Sequence, residues 1–414
     1  MVNKLILLIV AIILWRQVIP IGQLIMNFRL NDFSVYLDGT KSALSGANPY
    51  QLRFFDRFNY SPAATLFFIP LTLIPENTAE FLFTAISAFS LLLTIKMIFE
   101  LLKIKLSPSI FWLIFVLALK TYPSKLTLAL GQINLIILGL IVGSYYFCEI
   151  YKGRTLRSKV RPFEALSGIL FGLAAILKLT PAPLLIYFLF RKRWRTVWWF
   201  MVTIGILTIA GISVFGWDLT YYYYFKTIPQ LMNENTRTTL NGSYMNQSVT
   251  ALLGKFGIFG ELNSITRLGI SGILGVFFLN DYLYRFRVKP GMTGVTKGIK
   301  DFISFWNLTV ITMLFLPVFV WQHHYVFLIP LWVILVAKLI KTKKMLDLAI
   351  SGLAYFLLIF YFKDSYLPLR LNPLLSSHFL TTAVLFMILN SYAQRPDQQH
   401  VSDSEHILKN NSRS

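Results

Sequence analysis

The feature that most constrains this chain is the gathering of its basic residues into short connections between long apolar runs. Lys152 to Arg161 holds five, Arg191 to Arg195 four, Arg285 to Lys300 five and Lys338 to Lys344 four. Each cluster abuts an apolar stretch, the pattern that arises when positively charged loops stay on the cytoplasmic side of a bilayer. A net charge of +21 invites a nucleic-acid partner, but this placement accounts for the charge without one. With 56% hydrophobic and only 14% charged residues in 414, the chain has far more apolar surface than one soluble core can bury. It reads as an all-α polytopic membrane protein, multi-pass in the cell (plasma) membrane.

Placing the four clusters in the cytoplasm predicts a bundle of about 12 transmembrane helices. The spans fall near residues 4–26, 79–101, 107–120, 131–151, 163–177, 180–190, 196–216, 264–285, 301–320, 323–339, 345–362 and 376–393. The first lacks a small-residue cleavage site and reads as an uncleaved span. Ser61 to Pro75 is short for a crossing and is expected to be half-inserted or interfacial, since counting it as a span would invert every later loop. The spans at 163–177 and 180–190 are also short, which suggests broken helices around a site inside the bundle. Residues 1–393 form one transmembrane domain on this reading, and 394–414, rich in Asp, Ser, Gln and Asn, a disordered cytoplasmic tail. Cys148, a lone cysteine, excludes an internal disulfide and any cysteine-rich metal site, and reads as a small lipid-facing or packing residue.

The same topology gathers the polar segments on the extracytoplasmic side: Asn27 to Tyr60, Thr121 to Asn134, Lys178 to Pro183, Trp217 to Ser248, Trp321 to Tyr325 and Lys363 to Pro373. Asp32, just past the first span, is the leading catalytic candidate. A helix-terminal role competes for it, as do Asp38 and Asp56 in the same loop. Tyr36 follows four residues on, the turn Gly46-Ala47-Asn48-Pro49-Tyr50 comes next, and Asn59-Tyr60-Ser61-Pro62 returns the chain to the membrane.

Gln132 and Asn134 open an apolar span, where amides either cap a helix or bond between helices. Lys178 between two apolar segments either snorkels to the interface or meets an anion such as a lipid phosphate. His323 and His324 are adjacent, so on a helix they point about 100° apart and do not make the two-ligand metal site that a spacing of four would make. One histidine can face a cavity while the other packs, or both can belong to an interfacial aromatic belt. No metal site is expected. The sequence has no phosphate-binding glycine loop, dinucleotide fingerprint or HExxH motif, so nothing calls for a cofactor.

Asp32-Phe33-Ser34-Val35-Tyr36, the Gly46 to Tyr50 turn, Tyr60-Ser61-Pro62, Gly131-Gln132-Ile133-Asn134, Lys178-Leu179-Thr180-Pro181, Asn246-Gln247-Ser248 and Trp321-Gln322-His323-His324-Tyr325 occur in that order. From about Asp32 to Leu339 the chain resembles glycosyltransferase family 87 (DUF2029), the polyprenyl-phosphate-mannose-dependent alpha-1,2-mannosyltransferase group. The resemblance implies a GT-C-type bundle whose first extracytoplasmic loop is catalytic. It implies a polyprenyl-phosphate-linked sugar donor, a glycolipid or glycan acceptor and the lipid bilayer as partners. Asp32 would be the base, Lys178, His324 and His323 would contact donor phosphate, and Tyr36, Asn48, Tyr60, Gln132, Asn134, Asn246 and Gln247 would line the cavity. Ser61 stands where many members have a second proline. The competing reading is a transporter or flippase of lipid-linked sugars, for which an internal inverted repeat would argue. None is visible.

Overall fold

A computed structural model describes Ile12 and residues 31–51, 58–149, 157–232, 246–288, 294–360 and 378–393. The expected first span (Ile12 apart), Asp56, the segment 363–373 and the tail 394–414 lie outside the described residues, as does 233–245 within the expected segment from Trp217 to Ser248.

The described chain is helical, and its only strand-like feature is a single bridge between Asn246 and Trp321. In order come α1 (Asn31–Leu44), α2 (Glu76–Leu101), α3 (Pro108–Lys120), α4 (Tyr122–Leu130), α5 (Asn134–Glu149), α6 (Arg157–Leu177), α7 (Leu185–Phe190), α8 (Trp194–Phe215), α9 (Trp217–Tyr222), α10 (Val249–Lys255), α11 (Gly260–Val288), α12 (Gly294–Val310), α13 (Ile329–Thr342), α14 (Met345–Ile359) and α15 (His378–Ala393). Helix occupies each expected span that falls within the described residues. By length and composition, three described helices can cross a membrane: α2, α8 and the run Gln322–Thr342 that ends in α13. A fourth crossing is reached by counting α3 and α4 together, across a 69° bend. Several others, α5 and α14 among them, are apolar but shorter. The protein is thus an all-α membrane protein.

Two segments differ from expectation. Thr121 to Asn134, read as a polar connection, contains α4. Pro123 sits in its first turn, where a missing N–H is harmless, and Leu128 is buried. Residues 217–232, also read as polar loop, are helical, with a π-turn at Tyr223–Thr227. The segment from Ser61 to Pro75 contains no helix of spanning length, only the single turns Pro62–Thr65 and Ile69–Thr72. Ser61 starts the first of them by accepting from the Ala64 N–H at 3.1 Å, a cap that a proline side chain would not supply.

The packing core is a layer in which α2 lies against α5, α5 against α6 and α6 against α8. Small residues set the spacing. Gly168 and Gly172, four apart on α6, face α8, where a Cβ on Gly172 would stand 2.7 Å from Thr203 Cβ and one on Gly168 would overlap the Thr196 carbonyl. That is the close approach by which helices associate where lipid gives them no hydrophobic drive. Further along α8, a Cβ on Gly211 would come within 2.8 Å of Ala63 N, so the helix touches the capped turn after Ser61.

At the Glu149 end of α5 an ion cluster closes the layer. Arg191 bonds Glu149 and Asp301, each at 3.1 Å, and Arg193 bonds Glu149 at 3.2 Å and Glu164 at 3.3 Å. The Arg191 side chain is only 4% exposed. Two arginines read from sequence as a topology signal therefore also tie together α5, α6, α12 and the turn after α7. The opposite end of α5, about 22 Å away at 1.5 Å per residue, begins at Asn134, where the site residues gather.

Candidate active site

Local chain geometry delivers the polar groups. Helix α4 ends at Gly131, whose φ of 67° is a left-handed cap that glycine adopts without strain. The Gln132 N–H then bonds back to the Thr127 carbonyl at 2.8 Å, and α5 starts two residues later. Gln132 and Asn134 are thereby fixed at the junction of two helices. Helix α6 stops at Leu177, and Lys178 occupies the break before the turn at 182–184. Trp321 precedes a 3-10 helix, Gln322–Leu328, which packs against α4. Thr127 Oγ1 donates to the His323 carbonyl at 3.2 Å and fastens the two together.

Two hydrogen-bonded groups result. In the first, Tyr60 donates its hydroxyl to Tyr36 (2.9 Å), Tyr36 donates to Gln132 Oε1 (3.0 Å), and Gln132 Nε2 donates to Asp32 Oδ2. Asp32 lies in the first turn of α1, and its partner comes from 100 residues away. Burial foremost, with the charge of Asp32 adding to it, pushes the Tyr36 and Tyr60 phenols above their usual range, so both stay protonated donors. In the second group, Lys178 Nζ donates to Asn134 Oδ1 at 2.9 Å and lies 2.6 Å from His324 Nε2. The ammonium turns inward to these partners, which disfavours simple snorkelling. Gln132 belongs to the first group and Asn134, two residues on, to the second, so the two groups are neighbours.

The histidine pair departs from the expected divergence. Their rings stack, with centroids 4.5 Å apart and planes 30° apart, His324 meeting Lys178 while His323 covers the face of His324. Among the described residues no three His, Cys, Asp or Glu side chains gather as metal ligands would.

The other candidates are scaffolding in this geometry. Asn48 accepts from the Tyr50 N–H at 3.0 Å, and Tyr50 donates to the Tyr60 carbonyl at 2.7 Å, so the turn at 46–50 seats Tyr60. Asn246 Oδ1 accepts from the N–H groups of Ser248 and Val320, both at 3.2 Å. The Gln247 backbone bonds Val320 and Tyr325. These bonds clamp α10 to the strand-like segment before the histidines.

Sequence reasoning missed Gln322, which accepts from the Tyr122 hydroxyl at 3.2 Å. Its position beside two candidate histidines was the available signal. Among the described residues, Asn134 Nδ2, Asn246 Nδ2 and Gln322 Nε2 are buried donors with no hydrogen-bond partner. Leaving such a donor buried and unpaired costs about 1–3 kcal/mol, and those of Asn134, whose oxygen holds Lys178, and Gln322, next to His323, are available to a polar group that accepts from them.

Several known proteins are similar to the chain. The chain is 28% identical over 339 residues to the polyprenol-phosphate-mannose-dependent alpha-(1-2)-phosphatidylinositol pentamannoside mannosyltransferase of Mycolicibacterium smegmatis, covering 78% of this chain and 72% of the relative. It is 27% identical over 212 residues to that organism's polyprenol-phosphate-mannose-dependent alpha-(1-2)-phosphatidylinositol mannoside mannosyltransferase, covering 51% and 43%. It is 25% identical over 301 residues to an alpha-(1->3)-arabinofuranosyltransferase of Corynebacterium glutamicum, covering 63% and 68%. No solved structure matches the chain at a significant level. The pattern of glycosyltransferase family 87 matches residues 58–360, well over half of the sequence, so the protein belongs to glycosyltransferase family 87 and is a membrane glycosyltransferase.

Proposed function

We propose that the protein moves a sugar, mannose or another hexose, from a polyprenyl-phosphate donor to an envelope glycolipid or glycan. On this reading the reaction takes place at the extracytoplasmic face of the plasma membrane, in a GT-C-type bundle of about 12 spans, with Asp32 as the base. The observation that carries the proposal is a pair of hydrogen-bonded groups, one holding Asp32 on Gln132 and the other holding Lys178 on Asn134 and His324, which share the junction at 132–134 and are drawn from distant parts of the chain. The names of the mannosyltransferase relatives support a polyprenol-phosphate donor.

The chemistry follows from the charges. The acceptor hydroxyl oxygen attacks the anomeric carbon and forms the new glycosidic bond while the bond from that carbon to the phosphate oxygen breaks. The hydroxyl proton passes to Asp32, which must lie about 3 Å from it. Negative charge that develops on the departing polyprenyl phosphate meets Lys178, His324 and the unpaired amide N–H of Asn134. A single displacement inverts the anomeric carbon, so a beta-linked donor gives an alpha-linked product. The polyprenyl tail stays in the bilayer while only its head group enters.

The decisive experiment incubates purified protein with a panel of polyprenyl-phosphate hexoses and pentoses and measures sugar transfer together with lipid-phosphate release. Transfer from a hexose donor that is lost in Asp32→Asn is the expected result. Transfer from the pentose donor alone would overturn the hexose assignment, and full activity of Asp32→Asn would overturn the base. Movement of intact lipid-linked sugar across proteoliposomes without transfer would support the transporter reading.

A further inference from the structure

We propose that Tyr60, Tyr36 and Gln132 are positioning residues that form a one-way chain of hydrogen-bond donors, holding the Asp32 carboxylate charged and in a single orientation. The proposal rests on the reading of Asp32 as the base and gives that base its support.

The direction of the chain follows from what each group can do. An ionised carboxylate only accepts, so Gln132 must present its NH2 to Asp32. The amide is then oriented, and its oxygen faces Tyr36, which must donate to it. The Tyr36 oxygen, having given its proton to that bond, accepts from Tyr60, whose own proton is committed in turn. One charge at the end of the chain thus sets the direction of three bonds.

The surroundings keep the chain from rearranging. Tyr36 is 2% exposed and its ring packs at 4.7 Å from that of Tyr60 and 4.8 Å from that of Phe68. Tyr60 is held by its carbonyl, which accepts from Tyr50. Gln132 is held by the backbone bond to Thr127. A base supported in this way can take a proton without first reorienting, and it regains its starting hydrogen bonds when the proton leaves.

Other ionisable groups lie on the elements packed against α1. Tyr50 is in the turn at 49–51, Glu76 and the buried Glu80 are on α2, whose Phe83 meets Phe33, Tyr122 and Lys125 are on α4, and Asp38 and Lys41 are on α1 itself, both exposed. The turns at 62–65 and 69–72 carry none, and α8 carries only Arg195, at its other end. Lys178 acts on Asp32 from the second group. None of these is altered by the substitutions below, so a change in pH dependence reports on the chain.

A hydrogen bond to the charged form of a carboxylate lowers its pKa, and losing that bond raises it. The acid limb of kcat/KM against pH should therefore move to higher pH by about one unit in Gln132→Leu. Tyr36→Phe should move it less and Tyr60→Phe least, since each is one bond further from the charge. The variants should lose turnover at neutral pH and regain part of it at higher pH, with little change in the KM for donor, and should still unfold cooperatively in detergent, at temperatures somewhat below wild type. An acid limb unmoved in Tyr36→Phe and Tyr60→Phe, while Asp32→Asn is inactive, would overturn the chain and leave the base in place. Activity in Asp32→Asn would overturn the base itself. Should Gln132→Leu fail to fold, the two tyrosine variants, which remove one oxygen each, decide the matter alone.

Discussion

Lys178 Nζ stands 2.6 Å from Nε2 of His324, across 146 residues of sequence. Beside an ammonium, which can only donate, Nε2 would have to accept and Nδ1 would carry the ring proton toward the Trp321 carbonyl 3.2 Å away. The Trp321 N–H, however, donates to that same Nδ1 at the shorter distance of 2.9 Å, and a neutral ring that accepts there carries its proton on Nε2. The backbone of one residue thus offers both an acceptor and a donor to the ring. With its proton on Nε2, the imidazole can donate to a phosphate that draws Lys178 away, without moving.

Replacing the histidine tests that adaptability. His324→Gln, which places an amide near Nε2 able to donate or accept, should retain more turnover than His324→Leu, which can do neither. Steady-state rates at saturating donor distinguish them, and equal losses would show that the ring acts by packing.

Lys178→Ala should raise the KM for polyprenyl-phosphate donor by roughly ten- to a hundredfold, the worth of one hydrogen bond to a charged group. Because Lys178 and His324 act on one another, the double variant should lose less than the two single losses summed. Donor titrations of the four proteins measure this, and strict additivity would separate the two residues.

Asp32→Asn should lower turnover by about 10²-fold or more, the range for a lost general base, while donor binding survives. Asp38→Asn, at an exposed position on the same helix, should remain near wild type. The comparison of the two carboxylates is made by rate at equal amounts of folded protein.

Arg191→Ala should destabilise the protein by about 3 kcal/mol, because it takes a nearly buried cation from Asp301 and leaves Glu149 to Arg193. The activity of each molecule that remains folded should be unchanged. Thermal unfolding in detergent, paired with specific activity, checks both halves.

The sidedness of the membrane assignment is tested by cysteines at Ser45 and Lys344, both exposed, with buried Cys148 as an inert background. In intact cells an impermeant thiol reagent should label Ser45→Cys and spare Lys344→Cys. The reverse would move the site to the cytoplasmic face.

Much of the site was legible because polar residues embedded in apolar sequence are conspicuous. Asp32, Gln132, Asn134, Lys178 and His324 stand out by type and neighbourhood. Which of them touch was not legible, since the contacts join positions 44 to 146 residues apart. Nor could local sequence reveal that Asn48 and Asn246 spend their side-chain oxygens on backbone turns. The charge pattern located Arg191 and Arg193 beside a membrane but could not tell a solvated arginine from one pinned between acids contributed by three helices. Gly168 and Gly172 were visible as a four-residue spacing, yet their meaning depends on α8 lying against that face.

The junction at Gly131 makes the chain unequally tolerant of changes in length. Gln132 and Asn134 serve different hydrogen-bonded groups, yet both hang from one left-handed residue between two helices. Adding a single residue there would turn α5 by about 100° relative to α4, and would withdraw the partner of Asp32 and the partner of Lys178 together. Residues inserted in the exposed turn at 45–47 would lengthen a connection and leave both partnerships standing. Among relatives of this protein, loops should therefore vary freely in size on either side of a stretch whose count of residues is fixed.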